Sequence, residues 1–472
     1  MSTIIQDPDR RLPGGGARRR SDVDRDAARA KPSEGRAGAL DRARRVLAEL
    51  FGPAERRDFA VRFWDGTVDF PSGSGPAFTL VLPTPWALRR MLLPPSELRL
   101  AEAFARGDFE IEGDLEAAAG AAQGLRERLG RPGAIARLVP RLLGLPAGPR
   151  ARAPARRRLG ASRFAPRHSR RRDRAAVRSH YDVGNDFYAL WLDRRMVYSC
   201  AYFPTEDTDL DAAQEAKLDH LCRKLRLAPG ERLLDIGCGW GGLVMHAAAR
   251  YGARAVGVTL SAAQAQLAER RIAAAGLADR CTVEVRDYRE LPDDRPFDKI
   301  VSVGMYEHVG RRELPRYFAK VYRLLRPGGI FVNHGIVAAP EPRGLGPAFR
   351  RLLWRKGRFI DRYVFPDGEL VPVATAVAAA EAAGFETRDV ESLREHYALT
   401  LRHWRRRLEA REAESVRLVG DETHRVWRLF LAGSAQAFAS GRLGLAQVVF
   451  AKPDAAGRVA LPLTRADLYA AR

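Results

Sequence analysis

The period of apolar positions changes along the chain, and each change predicts a different kind of structure. Residues 1–38 show almost no apolar periodicity and combine Gly14–Gly16 with scattered Arg and Asp, which predicts a disordered basic tail. Phe59, Val61 and Phe63 alternate with Asp58, Ala60 and Arg62, as in a half-buried strand. Phe78–Leu82 predicts another strand and Leu98–Phe104 a short helix. Asp108–Leu115 alternates again before an Ala-rich helix. Residues 39–149 are therefore expected to form a small α+β domain.

From Glu231 the pattern becomes regular. RLLDI (232–236) is a largely apolar run, GCGWGG a turn, and Leu243–Arg250 a helix; AVGVTL (255–260) is a second strand. CTVEV, DKIVSV and GIFVNHGI supply further strands, and a helix over Leu314–Leu325 is closed by Pro327-Gly328-Gly329. Strands alternating with helices imply an α/β domain, 179–472, with a parallel sheet covered on both faces. Residues 337–370, with Phe365-Pro366-Asp367-Gly368, interrupt that pattern.

Residues 150–178 hold 12 Arg and a single acid, Asp173, so they are expected to form a linker outside the core. Two readings stand: a linker lying against a membrane or protein surface, and a charge run without a role.

Composition narrows the classes. A length of 472 residues favours two or more domains, and 46 % apolar residues exclude a wholly disordered basic protein. No run of 18 apolar residues occurs, and the polar N-terminus lacks the apolar stretch of a signal peptide, so a cytoplasmic protein is expected. Cys200, Cys222, Cys238 and Cys281 lie too far apart for a disulfide framework or a zinc site. The net charge of +22 predicts attraction to an anionic partner, either nucleic acid or a membrane surface. Only seven of the 80 cations are Lys, a bias that genomic base composition can produce.

The glycine turn carries the candidate chemistry. Gly237, Gly239 and Gly241 fit GxGxG, while Gly237, Gly239 and Gly242 fit the dinucleotide pattern. A nicotinamide fold places an acid about 20 residues on, yet no Asp or Glu occurs from Leu243 through Ala268. A nucleoside site in which Thr259 and Gln264 replace that carboxylate fits better. Asp235 is placed to support the turn or meet an ammonium group, and Asp287-Tyr288 to address an adenine by hydrogen bond and stacking.

LLDIGCGWGG, VGVTLSAAQ, VSVGMYEHVG and LLRPGG resemble S-adenosylmethionine-dependent methyltransferases of the cyclopropane-fatty-acyl-phospholipid synthase family. HYDVGNDFYALWLD (180–193), MVYSCAYF (196–203), HYALTLRHW (396–404) and GSAQAFASGRLGLAQVVFAK (433–452) extend the likeness over about residues 179–452. The resemblance implies a class I methyltransferase Rossmann-like sheet that transfers a methylene group to a cis double bond of a phospholipid acyl chain. Its runner-up is a fatty-acyl methyltransferase giving methylene- or methyl-branched chains. The implied cofactors are S-adenosylmethionine and bicarbonate. For the first it carries over Tyr198, Ser199, Leu233, Leu234, Asp235, Ile236, Gly237, Cys238, Gly239, Trp240, Gly241, Thr259, Gln264 and Tyr288, with Tyr181 and Asp182 closing over the methionine end. For the bicarbonate it carries over Cys200, Glu307, His334, Tyr397 and the backbone of Ile336. Residues 337–370 are expected to cover the acyl-chain channel. Ser434 stands where some relatives have a cysteine, so no catalytic thiol is expected there. The partners implied are unsaturated acyl chains and an anionic phospholipid surface on the inner face of the membrane. The Arg-rich segment has one aromatic residue, Phe164, which argues against nucleic acid. Oligomeric state is not legible, a homodimer being one option.

Overall fold

A computed structural model describes residues 34–73, 75–131, 133–149, 166–181, 183–339 and 358–469, with only the backbone at 34–37, 178–181 and 358. Most of the expected tail (1–33), most of the Arg-rich segment (150–165), Asp182 and 340–357 lie outside the described residues, as does the Tyr181 side chain.

The first sheet is built from β1 (Ala60–Arg62), β2 (Val68–Asp69), β3 (Phe78–Val81) and β4 (Glu110–Gly113), in the order β2-β1-β3-β4. β1 and β3 run parallel and the other pairs antiparallel. The alternation read from the sequence has a direct cause: Phe59, Val61 and Phe63 are buried, as are Phe78, Leu80 and Leu82. Helix Glu34–Phe51 begins inside the segment expected to be disordered and buries Ala43, Val46, Leu47 and Leu50 in the same core. Helix Glu97–Ala105 starts at Ser96, whose hydroxyl caps Arg99 N–H, and helix Leu115–Leu129 starts at Asp114, which caps Glu116 N–H.

The second sheet has seven strands: β5 (Arg232–Ile236), β6 (Arg254–Thr259), β7 (Cys281–Val285), β8 (Phe297–Val303), β9 (Leu325–Ala338), β10 (Glu386–Ser392) and β11 (Leu443–Ala451). Their order is β10-β11-β9-β8-β5-β6-β7, parallel except that β11 runs against both its neighbours. The mainly parallel α/β sheet expected from the sequence is present, with β10 and β11 as additions. β10, ETRDVES, is too polar to read as a strand, and its partner is supplied from more than 50 residues further on. Leu234 and Leu233 point to opposite faces and enter different helix-covered cores.

Strand order reverses at β5, which is flanked by β6 and β8, so a crevice forms at the carboxyl ends of these strands. The late helix Asp421–Ala439 joins the two halves. Leu431, Ala435 and Phe438 belong to the core of the large domain, while Ala432 belongs to that of the small one. All four cysteines are buried, and none forms a disulfide. Among the described residues no helix is long and apolar enough to cross a membrane.

Candidate active site

A cavity of about 640 Å³ opens at the crevice beyond β5, β6 and β8. Its floor is the glycine turn. Gly237 has φ +86°, and a Cβ there would stand 2.9 Å from the Met305 side chain, so the turn needs glycine. Trp240 is fixed by its indole N–H, which donates to Asn185 Oδ1 at 2.8 Å; Asn185 in turn donates to Ala263 O at 3.2 Å. The motif HYDVGN thus pins the glycine turn to the helix Ala262–Ala274 that follows β6.

Of the residues expected to hold the cofactor, Tyr198, Ser199, Asp235, Ile236, Gly237, Cys238, Gly239, Trp240, Thr259, Gln264 and Tyr288 line this cavity. Leu233, Leu234 and Gly241 do not: the two leucines are fully buried within β5, and Gly241, which caps the helix Gly242–Tyr251, faces Ala268. Thr259 donates its hydroxyl to Gln264 Oε1 at 2.8 Å, which leaves Gln264 Nε2 a buried donor without a partner. Asp235, 2 % exposed, has a buried Oδ1 without a partner, and burial raises its carboxyl to about 7. Unmet polar atoms beside a glycine cradle fit a nucleoside carrying a charged tail. Asp287, expected to address an adenine, also lines the cavity; it is bound to Arg289 through both oxygens (2.8 and 2.6 Å), which holds its carboxyl low against the pull of burial. Tyr288 lines the cavity with its ring edge-on to Tyr317 at 5.5 Å.

Sequence reading missed three contributors. Lys217 lines the cavity from the helix Leu210–Lys224. It is 1 % exposed, donates to Ser199 Oγ at 2.7 Å, and is lowered by burial to about 8. On the same helix Gln214 donates to Ser199 O at 2.9 Å and Val197 O at 3.3 Å, shaping the loop that carries Tyr198. The third is the Arg-rich segment, whose described part is no free arm. Helix Arg170–Tyr181 lies along the cavity, which Arg170, Asp173 and Val177 help to line. Arg172 and Arg167 bind Asp367 (2.7 and 3.0 Å), Arg170 and Arg174 reach Glu290 (3.4 and 3.5 Å), and Asp173 meets Arg289 at 3.0 Å.

None of the five residues expected to anchor bicarbonate lines the cavity, but they adjoin it. Cys200 follows Ser199, and Glu307 lies between the lining residues Met305 and His308. A chain of contacts links them. Cys200 Sγ approaches Leu393 O at 3.8 Å, and Tyr397 N–H donates to the same carbonyl at 3.2 Å. Leu393 N–H donates to Leu445 O at 2.9 Å, and Leu445 pairs with Ile336. Ile336 N–H donates to Glu307 Oε1 at 2.7 Å. Two residues before Ile336 on β9, His334 Nδ1 meets Gln447 Nε2 at 3.0 Å.

Both backbone groups of Ile336 already have partners within the protein. Its N–H is taken by Glu307, and its carbonyl accepts from Tyr306 Oη at 2.9 Å. Gly335 permits this, since a Cβ there would fall 2.0 Å from the Tyr306 ring. Glu307 Oε2 and His334 Nε2 are buried without partners. Burial raises the Glu307 carboxyl to about 7, holds His334 neutral and pushes the Cys200 thiol far up. A neutral imidazole, a thiol and a carboxyl near neutrality can together hold a small polar group and exchange a proton with it. Around them stand Tyr198, Trp404, Tyr397 and Phe438: Tyr198 lies 5.2 Å from Trp404, and Tyr397 lies 4.6 Å from Phe438. Ser434 is buried one turn before Phe438 and does not line the cavity.

A family model described as mycolic acid cyclopropane synthetase matches residues 168–448, and one for a domain of unknown function matches residues 46–123. A "probable fatty acid methyltransferase" of Pseudomonas putida is 43 % identical over 412 residues, 87 % of this chain and 95 % of that protein. The cyclopropane-fatty-acyl-phospholipid synthase of Escherichia coli (strain K12) is 38 % identical over 295 residues, 62 % of this chain and 72 % of that one. Among solved structures, a mycolic acid cyclopropane synthase complexed with SAH and CTAB is 36 % identical, with TM-score 0.55 over 59 % of this chain and 98 % of its own.

Proposed function

The chain belongs to the mycolic acid cyclopropane synthetase family of S-adenosylmethionine-dependent methyltransferases, and from this we propose that it cyclopropanates cis double bonds in phospholipid acyl chains. The observation that carries the reading is the position of Cys200 and Glu307, each one residue behind the cavity wall, and the contact chain through Leu393 and β9 that joins them to Tyr397 and His334.

Bound S-adenosylmethionine supplies an electrophilic methyl group. The protein must then hold a weakly nucleophilic alkene in line, keep water away, and remove a proton from the cationic chain so that a ring closes. Tyr198, Trp404 and Phe438 provide the dry wall; their ring faces also favour positive charge. Cys200, His334 and Tyr397 would hold a bicarbonate, whose chemistry there is that of a small base. Glu307, poised near neutrality, takes the proton onward. Since Ile336 N–H already serves Glu307, that carboxylate stands where a fifth anchor was expected.

The name of the Pseudomonas putida relative, which aligns over 87 % of this chain, favours a second reading: methyl transfer giving a branched chain. Cyclopropane and methylene-branched products are isomers, so mass alone does not separate them. Incubation with unsaturated phospholipid vesicles and S-adenosylmethionine, followed by proton NMR of the lipid, does. High-field ring protons support cyclopropanation, vinylidene protons or a methyl doublet support branching, and an unchanged alkene signal refutes both. We further propose that the net charge of +22 docks the protein on anionic lipid, each Arg near the surface contributing about 1 kcal/mol.

A further inference from the structure

Five of the seven lysines fall among the described residues, and four of them are buried: Lys217, Lys224, Lys299 and Lys320. Three of these four have carboxylate partners, namely Glu391 for Lys224, Glu231 for Lys299 and Asp293 for Lys320. Lys217 has no ion pair among the described residues. Its hydrogen bond goes to the neutral hydroxyl of Ser199 at 2.7 Å. A desolvated ammonium with no counter-ion is costly, and it persists where something else answers the charge. The same wall holds the opposite case: Asp235, buried, carries an oxygen without a partner. Lys217 feels the buried Asp193 carboxylate first and Asp235 less strongly, yet no ion pair joins it to either; the Asp193 oxygens accept from Arg195 N–H and Val197 N–H.

A cation and an anion, both buried, both facing one cavity and each lacking a full partner, match a zwitterion. We infer that Lys217 receives the α-carboxylate of the cofactor's methionyl end, while Asp235 takes its α-ammonium. The inference rests on the reading that this cavity holds S-adenosylmethionine. Free bicarbonate is a carboxylate-like anion too, but Lys217 and Ser199 line the cofactor cavity whereas Cys200 and His334 do not. Burial lowers Lys217 to about 8, so it still carries charge near neutral pH, and a carboxylate beside it would hold that charge in place.

Calorimetric titration of the full-length protein tests this with two probes, S-adenosylhomocysteine and its decarboxylated analogue. The wild type is expected to bind the first more tightly by about tenfold or more, as for a charge-assisted hydrogen bond. In Lys217→Met the two probes should bind within about twofold of each other, because the cycle isolates the pairwise contact. The variant should melt no lower than the wild type, since a neutral thioether replaces a desolvated charge. If Lys217→Met keeps the full discrimination, or the wild type shows none, the assignment is wrong. Lys217→Met that keeps discrimination but loses bicarbonate-dependent turnover would overturn it in favour of bicarbonate. Failure of the wild type to bind S-adenosylhomocysteine at all would instead overturn the cofactor reading, and this assignment with it.

Discussion

Glu307 sits where a carboxyl group is neither firmly acidic nor firmly protonated. Burial raises it from 4.5 to about 7, against the bond from Ile336 N–H that favours the charged form. Because the folded value exceeds the ordinary one, the native state binds the extra proton between pH 4.5 and 7. The associated stability is present in full below 4.5 and is lost as pH rises through 7. Turnover on vesicles should rise with pH through about 7 as the base forms. Glu307→Gln keeps an acceptor for Ile336 N–H but cannot take a proton. It should cut turnover by about 10²–10⁴-fold while leaving S-adenosylhomocysteine affinity nearly unchanged. It should also flatten the fall in denaturation midpoint between pH 5 and pH 8. Unchanged turnover in Glu307→Gln would remove Glu307 from the chemistry. Tyr397→Phe is expected to behave likewise in turnover and binding. Ser434→Cys, outside the cavity lining, should leave turnover within about twofold, surface-like in its effect despite its burial.

At the level of elements, the helix Arg170–Tyr181 shows how a charge run acquires a specific place. Asp367 accepts both Arg167 and Arg172, and the pair holds its carboxyl low against the opposing effect of burial. The residue after Arg172 ties the helix into the Asp173–Arg289–Asp287 chain. Asp367→Asn should weaken one tie without touching the cavity. The expected result is faster release of S-adenosylhomocysteine in stopped-flow measurements, by about tenfold at most, and faster proteolysis near the helix. An unchanged release rate would mean that this helix does not gate the cavity. The sequence showed the 12 Arg but not their partners, because Asp367 lies about 200 residues downstream of Arg167 and Arg172.

On the scale of the whole molecule, two cores are fastened through helix Asp421–Ala439. Arg425, 7 % exposed, donates to Phe104 O at 2.7 Å and Phe109 O at 3.1 Å, and its guanidinium lies 4.6 Å from the Phe104 ring centre. Arg402 adds paired bonds to Glu116 at 2.8 and 2.7 Å. Arg425→Ala strands two carbonyls and should cost about 3 kcal/mol, read as a lowered urea midpoint with the small domain melting separately. A single unshifted transition would mean that the domains do not depend on this contact. The charge of +22 acts on the same scale: sedimentation with anionic vesicles should be strong at low salt and fall steeply as salt is added, whereas neutral vesicles should bind weakly. Equal binding to both kinds of vesicle would refute charge-driven docking.

By itself, the amino-acid sequence determined what depends on neighbours along the chain. The apolar run of β5 ends where expected, the glycine turn follows it, and alternation marks the two inward faces of the small sheet, because period and turn chemistry are local properties. The pairing of β11 against β9, the engagement of Ile336 by Glu307, the capture of the Arg-rich helix by Asp367 and the isolation of Lys217 were decided by tertiary structure alone. In the sequence, Lys217 is one polar residue on an ordinary helix, and nothing nearby says that it is buried. Whether a charge is answered depends on which distant groups the fold brings to it and which it keeps away, and that choice is made only when the chain closes on itself.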